Sequence, residues 1–386
     1  MMFGKKAGCK HDQTADRDPH SPFPIPNSLS SCELLCFGNA IVDVFVRADV
    51  RRLDELGIKL PVQHISPEQA LTLLHEFNRP ESGAVIVSGG AAANAAKIAA
   101  MLNTSAAFAG CTGGDELAGV FEKELRAAGV VPVLSTGAGK TGLCFAFTCG
   151  GEAKGETRAE PVVRIAASPG AALEFSAADV RKDLIDGAEA IVLDGYMLER
   201  RPLVQHILQT ANHGGIPIAL DAASVFQIRD KTEDILQYSR NYPLIVFMNA
   251  DECIAFYNTI KKGAWVDAPD EREKETLILK EICPVLKCIT EGDIFPVIVI
   301  KLGGRGAVVL AGGNICHEET FSIIPRNTVG AGDAFCAAFM SAWIRGKTIR
   351  ECAALGNKVA REILSVPGTK IRAEKLKSFA KTLKAR

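Results

Sequence analysis

Four apolar runs, 190–194, 216–221, 244–249 and 297–301, are continuous where an amphipathic segment would alternate, so each predicts a strand buried on both faces. Helical segments separate them, which predicts a parallel α/β core. Every run closes on a polar residue, Asp194, Asp221, Asn249 or Lys301, and in open parallel sheets ligands bind just beyond the carboxyl ends of the strands. Ser66-Pro67-Glu68-Gln69 and Ser176-Ala177-Ala178-Asp179 read as capping boxes, the first with proline at the opening helical position. Gly129 and Gly214-Gly215 stop the helices predicted over 116–128 and 202–212. Residues 40–50 and about 131–165 carry β-like runs broken by glycines, with no obvious helix between; they predict a small antiparallel sheet away from the core, a lid. A charged, helical insertion over 267–280, within 260–295, and a basic amphipathic helix at 373–386 read as solvated faces.

Composition narrows the partners. Lys+Arg 44 against Asp+Glu 45 leaves a net charge of −1, so no global field points to nucleic acid, and a small ligand is expected. Lys97, Lys301 and Arg305 interrupt the most apolar stretches, which argues against a membrane span. The 12 cysteines include no C-x-x-C pair and no zinc spacing; they fit reduced thiols of a cytoplasmic protein. Residues 1–31 mix Lys, His, Asp, Pro and Ser without an apolar stretch and read as a flexible tail.

The sharpest chemistry lies in Arg326-Asn327-Thr328-Val329-Gly330-Ala331-Gly332-Asp333. Two glycines precede the apolar run 334–340, a buried helix, so bare N–H groups at the positive end of its dipole would offer a phosphate site with Asp333 beside it. Ordinary capping would also put an aspartate there. Gly137-Ala138-Gly139-Lys140-Thr141 only imitates a P-loop: Leu134 stands where the motif needs glycine, and a strand follows. Gly303-Gly304-Arg305-Gly306 likewise runs into a strand and reads as a turn beside a nucleotide at best. Ser88-Gly89-Gly90 leads into an Ala-rich helix bearing Asn94, suited either to a sugar hydroxyl or to close packing. Asp43 breaks an apolar strand and is either exposed or bound to paired hydroxyls. Asn249-Ala250-Asp251-Glu252 is either a helix cap or a water-mediated Mg²⁺ site.

Taken in order, Gly-Asn-Ala-Ile-Val-Asp (38–43), Ser-Gly-Gly-Ala-Ala-Ala-Asn (88–94), Thr141-Gly142, Asn249-x-x-Glu252, Leu302-Gly303-x-x-Gly306-Ala307 and Asn327-Thr-x-Gly-Ala-Gly-Asp333 resemble the PfkB carbohydrate kinase family, the ribokinase-like enzymes. Residues 38–44 and Asp194-Gly195-Tyr196-Met197-Leu198 look most like its bacterial adenosine-kinase-like branch. The resemblance implies a three-layer α/β sandwich with a mostly parallel central sheet over 32–370 and a β-sheet lid; the basic helix read over 371–386 lies beyond it. It implies transfer of the ATP γ-phosphate to a primary hydroxyl of a nucleoside or small sugar by a monomer or homodimer. Asp333 would be the base and Gly330, Ala331 and Gly332 the anion hole. Asp43, Gly89, Gly90 and Asn94 would bind the acceptor. Asn249, Lys301, Gly303, Gly306 and Asn357 would surround the nucleotide, with Asn249 and Glu252 organising Mg²⁺. The family usually has aspartate where this chain has Asn327, which puts a monovalent-cation requirement in doubt. Phe45, Phe145, Phe147 and Arg164 are candidates for shaping the acceptor pocket. A ribokinase- or fructokinase-type sugar kinase is the alternative, and a binding protein that has lost catalysis is a further one.

Overall fold

The computed structural model describes residues 31–60, 62–79, 82–149, 162–261, 263, 265–291, 297–323, 330–365 and 373–383. All of the expected 1–31 tail but Ser31, Asn327 with its neighbours, the middle of the expected lid segment and the chain's last three residues lie outside the described residues. Its strands in chain order are β1 (Cys32–Phe37), β2 (Ile41–Arg47), β3 (Val62–His64), β4 (Val85–Gly89), β5 (Ala106–Thr112), β6 (Val130–Thr136), β7 (Gly142–Cys149), β8 (Val162–Ser168), β9 (Ala188–Asp194), β10 (Ile218–Asp221), β11 (Leu244–Asn249), β12 (Val297–Lys301), β13 (Ala307–Ala311) and β14 (Asn314–Glu318).

Nine of these form one sheet in the order β14-β13-β12-β11-β10-β9-β1-β5-β6. The pairs from β12 through to β6 are parallel, and β13 and β14 add antiparallel strands at one edge. Successive residues of a strand serve opposite faces: Leu34 and Cys36 pack into one core, Leu35 and Phe37 into the other. The helices Ala91–Met101, Glu116–Ala127, Ala331–Ile344 and Ile349–Leu364 cover the first face. Arg201–His213, Val225–Asn241, Ala250–Lys261 and Cys283–Glu291 cover the second. The helix Ala331–Ile344 is buried continuously from Ala334 to Ala342, as its unbroken apolar sequence requires. Phe339 meets Phe247 of β11 edge-on at 5.3 Å. A Cβ at Gly356 would fall 2.7 Å from the Phe335 ring, so only glycine lets the following helix pack this closely.

The second sheet runs β3-β8-β7-β2-β4. Its pairs β2–β4 and β7–β8 are antiparallel, whereas β2–β7 and β3–β8 are parallel, so it is mixed and not the antiparallel sheet the sequence suggested. The chain segment 130–136 also departs from that expectation. β6 pairs in parallel with β5 at the edge of the large sheet, reached through the helix Glu116–Ala127. Half-exposed edge strands alternate as lid strands do, and an edge tolerates Pro132, so the pattern alone misassigned it. The helix Val50–Glu55, β3 and β4 complete this unit. Val42, Val44, Val46, Phe145 and Phe147 form its interior against Leu73 and Phe77 of the helix Pro67–Phe77.

Other expectations shift locally. Ser66 caps its helix through Gln69 N as read, while the Ser176–Asp179 box closes only a short 3-10 turn, Ala177–Asp179. The charged insertion becomes helical at Glu271–Leu277, and its continuation buries Ile278, Ile282 and Cys283, so only its first part is a solvated face. The terminal helix Ala373–Ala380 packs Leu376 and Phe379 into the core. Among the described residues no helix is long and apolar enough to cross a membrane.

Candidate active site

Gly330 holds the left-handed angles φ 82° and ψ 0° at the N-cap of the helix Ala331–Ile344, and among the described residues no side chain caps that end. The first amides of the helix have no such cap to compete with a ligand. Asp333, half-buried, points from this first turn toward the root of the second sheet, where its Oδ2 accepts a 3.0 Å hydrogen bond from Asn94 Nδ2. Burial and the nearby Asp221 push the Asp333 pKa up to about 6, against the Asn94 bond and the charges of Lys301 and Lys97.

Asn94 is placed by the glycines before it. Gly90 has φ +86°, and a Cβ there would lie 2.5 Å from the Asn39 carbonyl oxygen, so the turn from β4 into the helix Ala91–Met101 admits only glycine. At Gly89 a Cβ would fall 2.1 Å from Asp43 Cγ. Gly89 thus makes room for the Asp43 carboxylate and does so without a side chain of its own to offer the acceptor. Desolvation raises Asp43 to about 7, with Lys97 lowering it and Asp333 raising it. Lys97 follows Asn94 by one helical turn and lies on the same half-buried face. Its ammonium donates to Ser88 O at 2.6 Å and Ser88 Oγ at 3.0 Å. This lysine was missed in the sequence, although its i+3 spacing from Asn94 in an otherwise alanine-rich helix was a usable signal.

On the other side of the helix terminus lies a cleft of about 510 Å³. Asn249, Lys301, Gly303, Gly306, Asn357, Ala331 and Gly332, scattered over the second half of the sequence, line it together. Asn357 Nδ2 donates 2.9 Å to Glu318 O, and Gly306, with φ +92°, passes so near that carbonyl that a Cβ would sit 2.1 Å from it. Phe321, 81% exposed, and Arg361 form the rim, with the guanidinium 5.9 Å from the ring centre. No motif marked either residue.

Asn249 and Glu252 clasp each other. Glu252 accepts from Asn249 N at 2.8 Å and from Nδ2 at 2.7 Å, and its own N–H donates 2.9 Å to Asn249 Oδ1. These bonds are those of the helix-cap reading, at the start of the helix Ala250–Lys261, and they leave only spare lone pairs on the two side chains for a cation. Among the described residues no group of three or more acidic, His or Cys side chains could hold a metal directly. A hydrated Mg²⁺ contacted through its waters suits such a donor set. Burial lifts Glu252 to about 7, opposed first by Lys301.

The lid candidates separate. Phe45 shares the Asp43 face of β2, but Phe145 and Phe147 are fully buried on the opposite side of their sheet, and Arg164 pairs with Asp54 at 2.6 Å. Alternation along β7 turns Cys144 and Ala146 to the Asp43 face instead. The P-loop imitation is occupied by the protein itself: Ala138 N and Gly139 N each donate 2.8 Å to the Glu174 carboxylate.

A doubly covered parallel sheet with a β-sheet appendage, whose junction sets a carboxylate beside a free helix N-terminus, defines the ribokinase-like class of small-molecule kinases. Residues 60–376 match the model of the pfkB family carbohydrate kinases. The chain belongs to that family, and it is a phosphotransferase with an alcohol group as acceptor. An adenosine kinase of Dictyostelium discoideum is 23% identical, covering 90% of this chain and 99% of its own. One of Schizophyllum commune is 24% identical over 86% and 95%. The chain groups with this adenosine-kinase-like branch. Two solved structures share the fold: the adenosine kinase of Sinorhizobium meliloti, with TM-score 0.72, 23% identity and coverage of 92% and 100%, and a probable sugar kinase of Rhizobium etli CFN 42, with 0.73, 23%, 92% and 99%.

Proposed function

We propose that the protein transfers the γ-phosphate of ATP to the primary hydroxyl of a nucleoside resembling adenosine. The observation that carries this reading is the position of Asp333, on the first turn of a helix whose N-terminal residues line one cleft while its carboxylate accepts a hydrogen bond from Asn94 and lies within the electrostatic reach of Asp43 and Lys97 on the acceptor side. In the mechanism Asp333 accepts the acceptor's hydroxyl proton, and the amides of Gly330, Ala331 and Gly332 stabilise charge on the transferring phosphoryl group. Asp43 and Asn94 orient the acceptor by its other hydroxyls. Lys301, Gly303, Gly306 and Asn357 would hold the nucleotide, and Asn249 with Glu252 would hold Mg²⁺, which would supply shielding of phosphate charge. Closure of the second sheet over the acceptor would exclude water. The name of the adenosine kinases matched along nearly the whole chain supports a nucleoside.

A free sugar is the second reading, supported by the equally good fit to the Rhizobium etli structure. ADP release measured with adenosine, other nucleosides, ribose and fructose decides between them. Calorimetric binding of those compounds beside the assay tests the binding-protein alternative: binding without turnover would favour it and remove the kinase mechanism.

A further inference from the structure

β10 and β12 flank β11, and their last residues meet above its end: Lys301 Nζ donates to the two oxygens of Asp221 at 2.9 and 3.2 Å. Asp221 is 9% exposed. The ammonium also stands against the anion hole, since a Cβ at Gly332 would lie 3.3 Å from Nζ. A buried ion pair loses much of its Coulomb gain to desolvation, and apolar residues of similar size often stabilise a fold as well. Stability alone is therefore a weak reason for this pair to exist. Position is a stronger one. A lysine without a tether would spread over many rotamers, and the neighbouring carboxylate of Asp333 would compete for it.

We propose that Asp221 is a positioning residue, which parks the Lys301 ammonium over Gly332, where it meets the nucleotide's terminal phosphate, and keeps it off Asp333. The inference rests on the kinase reading above. Asp221 contributes alignment of the cation, and its negative charge opposes ground-state binding of the nucleotide's phosphates. Removing that charge while keeping the shape should thus separate affinity from turnover, which a simple loss of structure would not do.

The test compares Asp221→Asn, Asp221→Glu, Lys301→Met and the double variant Asp221→Asn/Lys301→Met with the wild type. It uses steady-state kinetics and calorimetric affinity for a non-hydrolysable ATP analogue. For Asp221→Asn, kcat should fall about tenfold or more while the analogue binds as tightly as to the wild type or tighter. Asp221→Glu should regain most of the turnover, and Lys301→Met should lose both. The double variant should be no slower than Lys301→Met, because a tether without its lysine has nothing to hold. Wild-type turnover in Asp221→Asn, analogue binding that weakens in step with kcat, or losses that multiply in the double variant would each overturn the assignment. If the wild type phosphorylated no acceptor, the kinase reading itself would fail. The tether would then be judged by affinity alone, and unaltered analogue binding by Lys301→Met would discard it too.

Discussion

Asn94 and Asp333 lie 239 residues apart in the chain and share a hydrogen bond of 3.0 Å. It joins the helix leaving β4 to the helix that opens on the cleft, so the two halves of the site meet at the carboxylate. The bond favours the ionised form of Asp333, whose pKa burial and Asp221 raise to about 6. A base works only when deprotonated, so kcat/KM should fall as pH drops through about 6. Asn94→Ala removes a donor to the anion and should move that acid limb upward. A pH profile of kcat/KM for both proteins checks this, and coincident limbs would mean that another group titrates.

Replacing Asp333 by Asn keeps the size and the contact with Asn94 but cannot take a proton. Turnover should fall by about 10²–10⁴ while nucleotide affinity stays near the wild-type value. Rapid-quench turnover and calorimetry on one preparation measure the two quantities. Turnover within a few-fold of wild type would refute the base assignment.

How much of this was legible beforehand depended on the kind of signal. The strands that end in Asp194, Asp221, Asn249 and Lys301 could be read because a strand buried on both faces leaves a continuous apolar run, and the polar break marks where it reaches the ligand edge. The start of the helix at Gly330 could be read because glycines lead into an apolar run, but that pattern fits an ordinary cap as well as a phosphate site, so it did not by itself single out a ligand. β6 was misread because an edge strand and a lid strand alternate alike. The directions of Phe145 and Phe147 could not be read because register is a property of strand pairing, which β2 and β7 settle across about a hundred residues. Phe321 and Arg361 escaped notice since an exposed aromatic and a helical arginine carry no local pattern; only the fold brings them to one rim.

Gly89 lies outside the left-handed region, so alanine there strains no backbone, yet its methyl would overlap Asp43, whose carboxylate atoms lie 2.1–2.3 Å from the Cβ position. Asp43 must therefore swing away. Gly89→Ala should remain folded and raise the acceptor KM by about tenfold or more with ATP KM little changed, since alignment of the acceptor is what it loses. Initial-rate kinetics with each substrate varied in turn would show this; equal rises in both KM values would point to a general distortion.

Asp194 is 3% exposed, and its pKa is raised from the ordinary 3.8 to about 7, chiefly by burial, with the N–H of Tyr196 opposing. The folded protein thus binds this proton more tightly than the unfolded chain. The stabilisation is fully present below about pH 4 and is lost as pH rises through about 7. Asn at this position can still accept from Tyr196 N, 3.0 Å from Asp194 Oδ1, and never has to ionise. Asp194→Asn should match the wild type at acid pH and exceed its stability by roughly 2–4 kcal/mol at pH 8. Urea unfolding at several pH values checks the trend, and a gap that does not widen with pH would contradict it.

Phe321 buries little in the free protein, being 81% exposed, so its removal should leave the unfolding midpoint where it is. Its ring nevertheless sits on the rim of the 510 Å³ cleft with the Arg361 guanidinium beside it, an arrangement that offers a flat apolar surface and a cation to a nucleotide's base. Stacking of a base on an aromatic ring contributes about 1–3 kcal/mol. Phe321→Ala should therefore raise the KM for ATP by about tenfold, leave the acceptor KM and kcat near wild type, and weaken ADP binding by a similar factor. Phe321→Trp should preserve the affinity. Calorimetric titration of ADP against the three proteins separates the outcomes. Affinity unaffected by alanine would show that the ring stays in solvent and that the base is held by the cleft walls near Gly303 and Asn357.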